Sequence, residues 1–240
     1  MVYTSLKSEV GPFPEAELPH GVDPRLEDRK ARRRLYPVTV LYTAYFLALL
    51  ILSLRSPHPG LAIGFFSLGV VAWIPIEYLS HRYILHGVFP KGRSWLSRAL
   101  HQLFDASHAD HHARPWDGMH INGHADTLFA AALFFPLSFL APYYTVPLFV
   151  ATVFACYTLE EWAHHAMHFW NFPFPYFQYI RRRHLYHHSR HGVGLAYGIT
   201  SGIWDVVGGT RLRAQERQML SPWSKTAGSA AISAAGDEWR

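Results

Sequence analysis

The chain has 240 residues and a formal charge of +5; half of its residues are hydrophobic and 16% are charged, against roughly 25% charged in soluble globular chains. The basic balance does not read as nucleic-acid binding, because the arginines flank apolar runs and form no RNA- or DNA-binding motif. The one cysteine, Cys156, lies in an apolar segment; it excludes an intramolecular disulfide and, within one chain, thiolate-ligated zinc or iron–sulfur sites.

In chain order, residues Met1 to Arg25 are rich in Pro and Glu, lack a signal-peptide core and read as an irregular arm. An uncharged run from Leu35 to Leu54 is long enough to cross a bilayer. A turn over Arg55–Gly60 leads into a second run, Leu61 to Leu79, broken by Pro75 and carrying Glu77 near its end. Ser94 to Ala113 is expected to be one amphipathic interfacial helix, with Trp95, Leu96, Leu100, Leu103 and Phe104 as its apolar stripe. Two shorter runs, Thr127 to Ala141 and Thr145 to Leu159, flank a tight turn at Pro142–Tyr144. They read as one re-entrant hairpin or as two spans extended by their ends. Tyr176 to His188 is predicted helix, Gly192 to Gly209 is a glycine-rich segment, and Ser221 to Arg240 has a disordered composition.

Lys and Arg concentrate before the first run, between the second and third, and after the fourth; the two intervening turns hold only Arg55. The positive-inside rule then puts both termini and the central loop on the cytoplasmic side. The expected fold is all-α and integral to the membrane: about four transmembrane helices in two hairpins, with a cytosolic histidine-rich helical cap.

That cap carries the chemistry. The chain holds 17 histidines, most of them in short blocks: HRYILH (His81, His86), HADHH (His108, His111, His112), HHAMH (His164, His165, His168) and HLYHH (His184, His187, His188). Neutral imidazole binds first-row metals. At roughly 100° per residue, His111 and His112 fall about 60° and 40° to either side of His108 on a helix. One turn thus offers three imidazoles over an arc whose outer members can serve different ions. His184, His187 and His188 repeat the arrangement, and His164 and His168 form a one-face pair. His81 and His86 are five apart and would be splayed by about 140° on an ideal α-helix; they could bracket a site, or the helix could loosen where it leaves the membrane. Ten ligand-type imidazoles exceed the need of one ion and suit two metals held close together.

A single helical histidine pair is ordinarily surface or core; four clusters on one membrane face are not. His20, His58 and His101 read as ordinary residues, and His120 and His124 equally as loop residues or as additional ligands. His165 and His191 read first as hydrogen-bonded neighbours and second as extra ligands. Glu77, Glu160, Glu161 and Asp205 lie close to the clusters in sequence and are expected to orient ligating imidazoles, with direct ligation open to Glu160 or Glu161. Cys156 reads as a small buried hydrophobe.

The order HRYILH, HADHH, HHAMH, HLYHH between apolar hairpins resembles the fatty acid hydroxylase / sterol desaturase superfamily of integral membrane di-metal oxygenases. IEYLSHRYILH and GLAYGITSGIWDVVGGT are most similar to fatty acid 2-hydroxylases, and the resemblance runs from about Leu61 to Thr210. It implies residues 35–220 as a membrane hydroxylase domain between a basic cytosolic arm (1–34) and a disordered tail (221–240). It implies two iron ions, with zinc as a substitute in purified protein, and O2 as co-substrate. By position the metal ligands fall on His81, His86, His108, His111, His112, His164, His168, His184, His187 and His188. A hydroxyl group would be inserted into a C–H bond of a membrane lipid, a fatty acyl chain first. The alternatives are a desaturase, or a hydroxylase of a sterol, carotenoid or other lipid; outside the enzymes, a metal transporter or sensor. Some relatives carry an N-terminal haem domain that supplies electrons, for which this chain has no room. With no GxGxxG loop, flavin motif or cysteine set, an external reductase, ferredoxin or haem protein is expected. EEWAHHAMH and the His120/His124 loop depart from the family pattern.

Overall fold

A computed structural model describes residues 21–87, 89, 94–121 and 125–220. The described residues are helical, with no strand among them. Helix α1 (Pro24–Leu54) starts where the Asp23 side chain accepts from the backbone N–H of Arg25 at 2.9 Å, with Pro24 in the first turn. It takes in the basic segment and the first apolar run together, so the expected boundary at residue 34 falls inside a continuous helix. Helix α2 (Pro59–Leu79) also opens on a proline and continues without a break into a π-helical segment, Ser80–Leu85. The expected single helix over 94–113 is broken at Phe104 into α3 (Trp95–Leu103) and α4 (Asp105–Ala113). Phe104 leaves helical geometry (φ −109°, ψ −83°), which lets the apolar stripe of α3 and the histidines of α4 face different ways.

The third apolar run forms α5 (Ala125–Phe134) followed by a 3-10 turn, Phe135–Phe139. Ten α-helical residues rise about 15 Å, well short of a roughly 30 Å hydrocarbon core. The fourth run belongs to α6 (Val146–Phe169), which extends ten residues past Leu159 and carries HHAMH in its last turns. Helices α7 (Pro175–His187), α8 (Ile203–Val207) and α9 (Ala214–Leu220) complete the described chain.

Helix α6 is the centre of the fold, with α1 and α2 packed against it. Its buried Val150 and Phe154 meet Val38 and Tyr42 of α1 and Ala131 of α5. Tyr42 stacks on Phe154 at 4.4 Å and donates to the backbone oxygen of Thr127 at 2.7 Å. On the other side, Gly69 of α2 lies so close to α6 that a Cβ there would stand 2.7 Å from Cβ of Thr152. Away from α6 the long helices present apolar side chains outward: Val40, Leu47, Ile51 and Leu52 on α1, and Ile63, Leu68 and Val71 on α2. Among the described residues, α1 and α2 extended by its π-segment are the two helices long and apolar enough to cross a membrane.

The Gly69 contact yields a stability test. Gly69→Leu forces α2 away from α6 and is expected to destabilise the fold by about 1–3 kcal/mol, read as a lower melting temperature in detergent. Leu at exposed Gly64, where an added Cβ meets no other atom within 4 Å, should leave that temperature unchanged.

Candidate metal centre

The ten cluster histidines come together from four elements. The π-segment brings His81 and His86, α4 brings His108, His111 and His112, α6 brings His164 and His168, and α7 with its C-cap brings His184, His187 and His188. The five-residue spacing of the first pair is reconciled by the π-helix, where the backbone N–H of His86 bonds to the oxygen of His81 at 3.0 Å. The i→i+5 ring returns His86 to the side of His81, and the imidazole centroids lie 5.0 Å apart.

The rings sort into two groups of five: His81, His86, His108, His112 and His187 in group A, and His111, His164, His168, His184 and His188 in group B. Within each group one ring nitrogen per histidine lies within 4.8 Å of all the others. Each group takes both histidines of one pair, the (i, i+4) members of one triplet and the fourth-position member of the other triplet. Neighbours in sequence therefore part company: His111 from His112, and His187 from His188. The groups abut where His112 stacks on His188 at 4.2 Å between ring centres.

Burial keeps these rings uncharged. Desolvation first, and neighbouring imidazoles second, hold His108, His111, His168, His184, His187 and His188 well below the ordinary histidine range. The same burial takes His86 down to about 4, and His112 and His164 down to about 3. Two rings have a fixed tautomer. His81 Nδ1 donates to the backbone oxygen of Tyr197 at 2.5 Å, and His187 Nδ1 to that of Leu195 at 2.6 Å. Each then presents a lone pair at Nε2.

Those lone pairs face other ring nitrogens. In group A, Nε2 of His81 is 3.2 Å from that of His108, and Nε2 of His187 is 2.9 Å from that of His86. In group B, Nε2 of His168 lies 3.2 Å from that of His164 and 2.9 Å from that of His184. The buried Nε2 of His112 has no hydrogen-bond partner. Neutral rings can turn some of these contacts into N–H···N hydrogen bonds but not all of those in group A, where the end nitrogens on His81 and His187 both hold lone pairs, and a cation among them offers every lone pair a partner. The all-nitrogen donor set fits iron, and zinc equally.

The loop that tethers group A is itself pinned. Ala196, between the two accepting carbonyls, has φ +56°, the left-handed region, and its N–H bonds to the backbone oxygen of Thr210 at 2.9 Å. Buried Asp205 accepts from the N–H groups of Tyr197 (2.8 Å) and Gly198 (3.1 Å), from Thr210 Oγ1 (2.8 Å) and from the Arg183 guanidinium (2.7 Å). Buried Glu77 accepts from the N–H of Thr200 at 2.7 Å and from its hydroxyl. Asp205 and Glu77 thus act on the centre through this loop. The carbonyls of Leu195 and Tyr197 had no signal in the sequence beyond the glycine-rich composition around them.

The remaining expected residues lie elsewhere. His165 turns to α1, its Nε2 2.9 Å from Asp28, a carboxylate that also accepts from Trp170 and Arg32. His191 is exposed and belongs to neither group. Glu160 is buried one turn before His164, with Oε2 unpartnered, and Glu161 is half-buried; neither joins a group. His101 pairs with Asp105 and His120 with Asp117, outside both groups. His20 and His124 lie outside the described residues.

Residues 66–210, which contain all ten histidines, match the family model described as fatty acid hydroxylase. The chain belongs to the fatty acid hydroxylase family. A dihydroceramide fatty acyl 2-hydroxylase of Arabidopsis thaliana is 31% identical over 66% of this chain and 63% of its own length. The ceramide very long chain fatty acid hydroxylase SCS7 of Saccharomyces cerevisiae is 31% identical over 67% of this chain and 41% of its own. For the human fatty acid 2-hydroxylase the figures are 29%, 69% and 43%. The chain thus spans less than two thirds of the length of these family members. A solved structure of full-length scs7p, with only its hydroxylase domain visible, superposes with a TM-score of 0.62 at 26% identity, covering 75% of this chain and 67% of that one.

The tether geometry predicts a contrast at one position. Ala196→Gly should fold at least as readily locally, because glycine adopts positive φ without strain. Ala196→Val adds β-branching to a left-handed backbone whose Cβ cost the alanine already carries, and should lower the melting temperature relative to both.

Proposed function

We propose that this protein is a membrane-embedded lipid hydroxylase that inserts a hydroxyl group into a C–H bond of a fatty acyl chain, using two metal ions held by the ten clustered histidines. The observation that carries this reading is the pairing of two abutting five-imidazole groups with two outward-apolar helices of membrane-crossing length, one of which, α2, runs through its π-segment directly into group A. The Arabidopsis and human relatives are named as 2-hydroxylases, of dihydroceramide fatty acyl chains and of fatty acids, and the yeast relative as a ceramide very long chain fatty acid hydroxylase; position 2 is therefore the first to test.

Iron bound in these groups would supply the activation of O2 and the removal of hydrogen from an unactivated C–H bond, chemistry that no side chain offers. The chain's own residues do the rest. Uncharged, buried imidazoles supply nitrogen donors without having to shed protons first. The Leu195 and Tyr197 carbonyls fix two of those donors in their tautomers. The long helices place the centre at one end of an apolar bundle, so an acyl chain enters from the lipid with its polar end at the metal face. The Lys and Arg distribution supports a multi-pass arrangement with this face and both termini cytoplasmic. The 240 residues carry no nucleotide or flavin motif, so the electrons are assigned to a donor outside them. Transport is disfavoured because transporter sites sit near the bilayer midplane, whereas these ligands cluster at the helix ends.

Purified protein given iron, a reducing system and a panel of free fatty acids and ceramides should yield a product heavier by one oxygen, with label incorporated from 18O2. A product lighter by two hydrogens would instead identify a desaturase, and unchanged lipids throughout would end the oxygenase reading. His111→Ala and His187→Ala are each expected to lower bound metal and reduce product formation at least 100-fold, the scale of removing a principal catalytic group. His58→Ala should change neither quantity. Elemental analysis alongside turnover separates the two effects.

A further inference from the structure

The two imidazole groups are alike in number but not in support. Both ring tethers among the described residues serve group A, at His81 and His187. No ring of group B makes an Nδ1 hydrogen bond to the described protein, and Nδ1 of both His111 and His188 is buried without a partner. The tethers of group A are in turn held by a buried network. Asp205 bonds the loop at two N–H groups, engages Arg183 and Thr210, and Thr210 reaches Tyr78 of α2 at 3.0 Å. Among the described residues, the braces near group B, such as Arg181 Nε to the backbone oxygen of Met167 at 2.9 Å, join its helices and reach no ring nitrogen.

A hydrogen bond from Nδ1–H to a carbonyl fixes the tautomer that leaves Nε2 free, sets the ring plane and makes the ligand nitrogen more basic. An unbraced ring must give up rotational and tautomeric freedom when it binds. We propose that the two sites are inequivalent: group A is the tightly retained metal site, group B is the exchangeable one, and Asp205 is the positioning residue that creates the difference through the Leu195–Tyr197 loop. This rests on the di-metal reading above. It assigns to Asp205 a role in one site only, although both groups lie in the same cluster. It also means that partial metal loss on purification empties group B first.

The test is chelator competition on the intact protein, loaded with zinc and followed by elemental analysis of metal per chain. The wild type should lose its ions in two steps, one at low and one at much higher chelator concentration. His168→Ala, on the group B side, should abolish the easily lost ion and keep the resistant one. His86→Ala, on the group A side, should do the reverse. Asp205→Asn should bring the resistant step down by about 10–100-fold in chelator concentration, the usual effect of removing a ligand's hydrogen-bonded support, while leaving the first step in place. Thr210→Val, a milder change that deletes one bond to Asp205, should shift the same step in the same direction by less, and it stands in if Asp205→Asn does not fold. A helical circular dichroism spectrum equal to wild type shows that the shift is not global unfolding.

A single wild-type step, a resistant ion lost in His168→Ala but kept in His86→Ala, or equal shifts of both steps in the Asp205 and Thr210 variants would each overturn the inequivalence. Wild-type protein that binds no zinc or iron at all would instead overturn the di-metal reading beneath it.

Discussion

Ten uncharged imidazoles packed against one another, five buried and five half-buried, are the constraint to which the rest of this protein answers. Their nitrogens approach to about the length of a hydrogen bond, yet His81 and His187 have already given their N–H groups to backbone carbonyls. The His81–His108–His86–His187 run of Nε2 contacts, at 3.2, 3.0 and 2.9 Å, therefore holds a lone pair at each end, and neutral rings cannot make all three contacts hydrogen bonds; positive charge among the four nitrogens satisfies them together. The low proton affinity of these rings, set by burial, means that protons are a poor source of that charge at neutral pH. A metal ion is the better one, and the same desolvation that drives protons away strengthens its hold. Folding of the cap and metal loading are therefore expected to be coupled, as in other sites assembled from remote segments.

The His-x-x-His-His pattern performs a specific task in this arrangement. Residues 108 and 112, or 184 and 188, lie one helical turn apart and reach into one group, while the fourth position of each triplet swings into the other. Each triplet thereby clamps the two groups at a short fixed separation. Each pair, His81/His86 and His164/His168, serves only one group. A cluster built from pairs alone would make two independent sites; the triplets are what make it binuclear.

This division was legible in the sequence, because about 100° per residue places the fourth and fifth residues on opposite sides of the first. The first pair was legible only in part: an α-helix would splay His81 from His86, and a loosening of the helix there, one of the ways the pair could serve a site, is what the π-segment provides. The π-segment that joins them follows from no periodicity or propensity in SHRYIL. The apolar run shows less than the whole of α1 because hydropathy marks where a helix is apolar, not where it is helical, and most of Arg25 to Arg34 are good helix formers on the same helix. The break at Phe104 was hidden because the stripe and the histidines share a period. The carbonyls of Leu195 and Tyr197 could not be read from side chains at all. For His165, adjacency to His164 said little: one step along a helix turns the ring by about 100°, and Asp28 is there to receive it.

The packing of the long helices explains why ligands so far apart in sequence arrive at one height. Helices α2 and α6 run in the same direction, each bringing its histidines at its C-terminal end. They touch closely where Gly69 meets Thr152. Gly69 lies twelve residues before His81, and Thr152 twelve before His164, a rise of about 18 Å on either helix. Eight residues beyond the contact each helix also carries a buried carboxyl group, Glu77 on one and Glu160 on the other. A one-residue slip between the helices would bring a Cβ or a β-branched side chain against Gly69's neighbours instead, and would offset the two groups by about 1.5 Å. The missing side chain at Gly69 thus works as an axial stop. It sets the register of two apolar helices deep in the bundle, and through them the level at which His81 and His164 enter the metal centre.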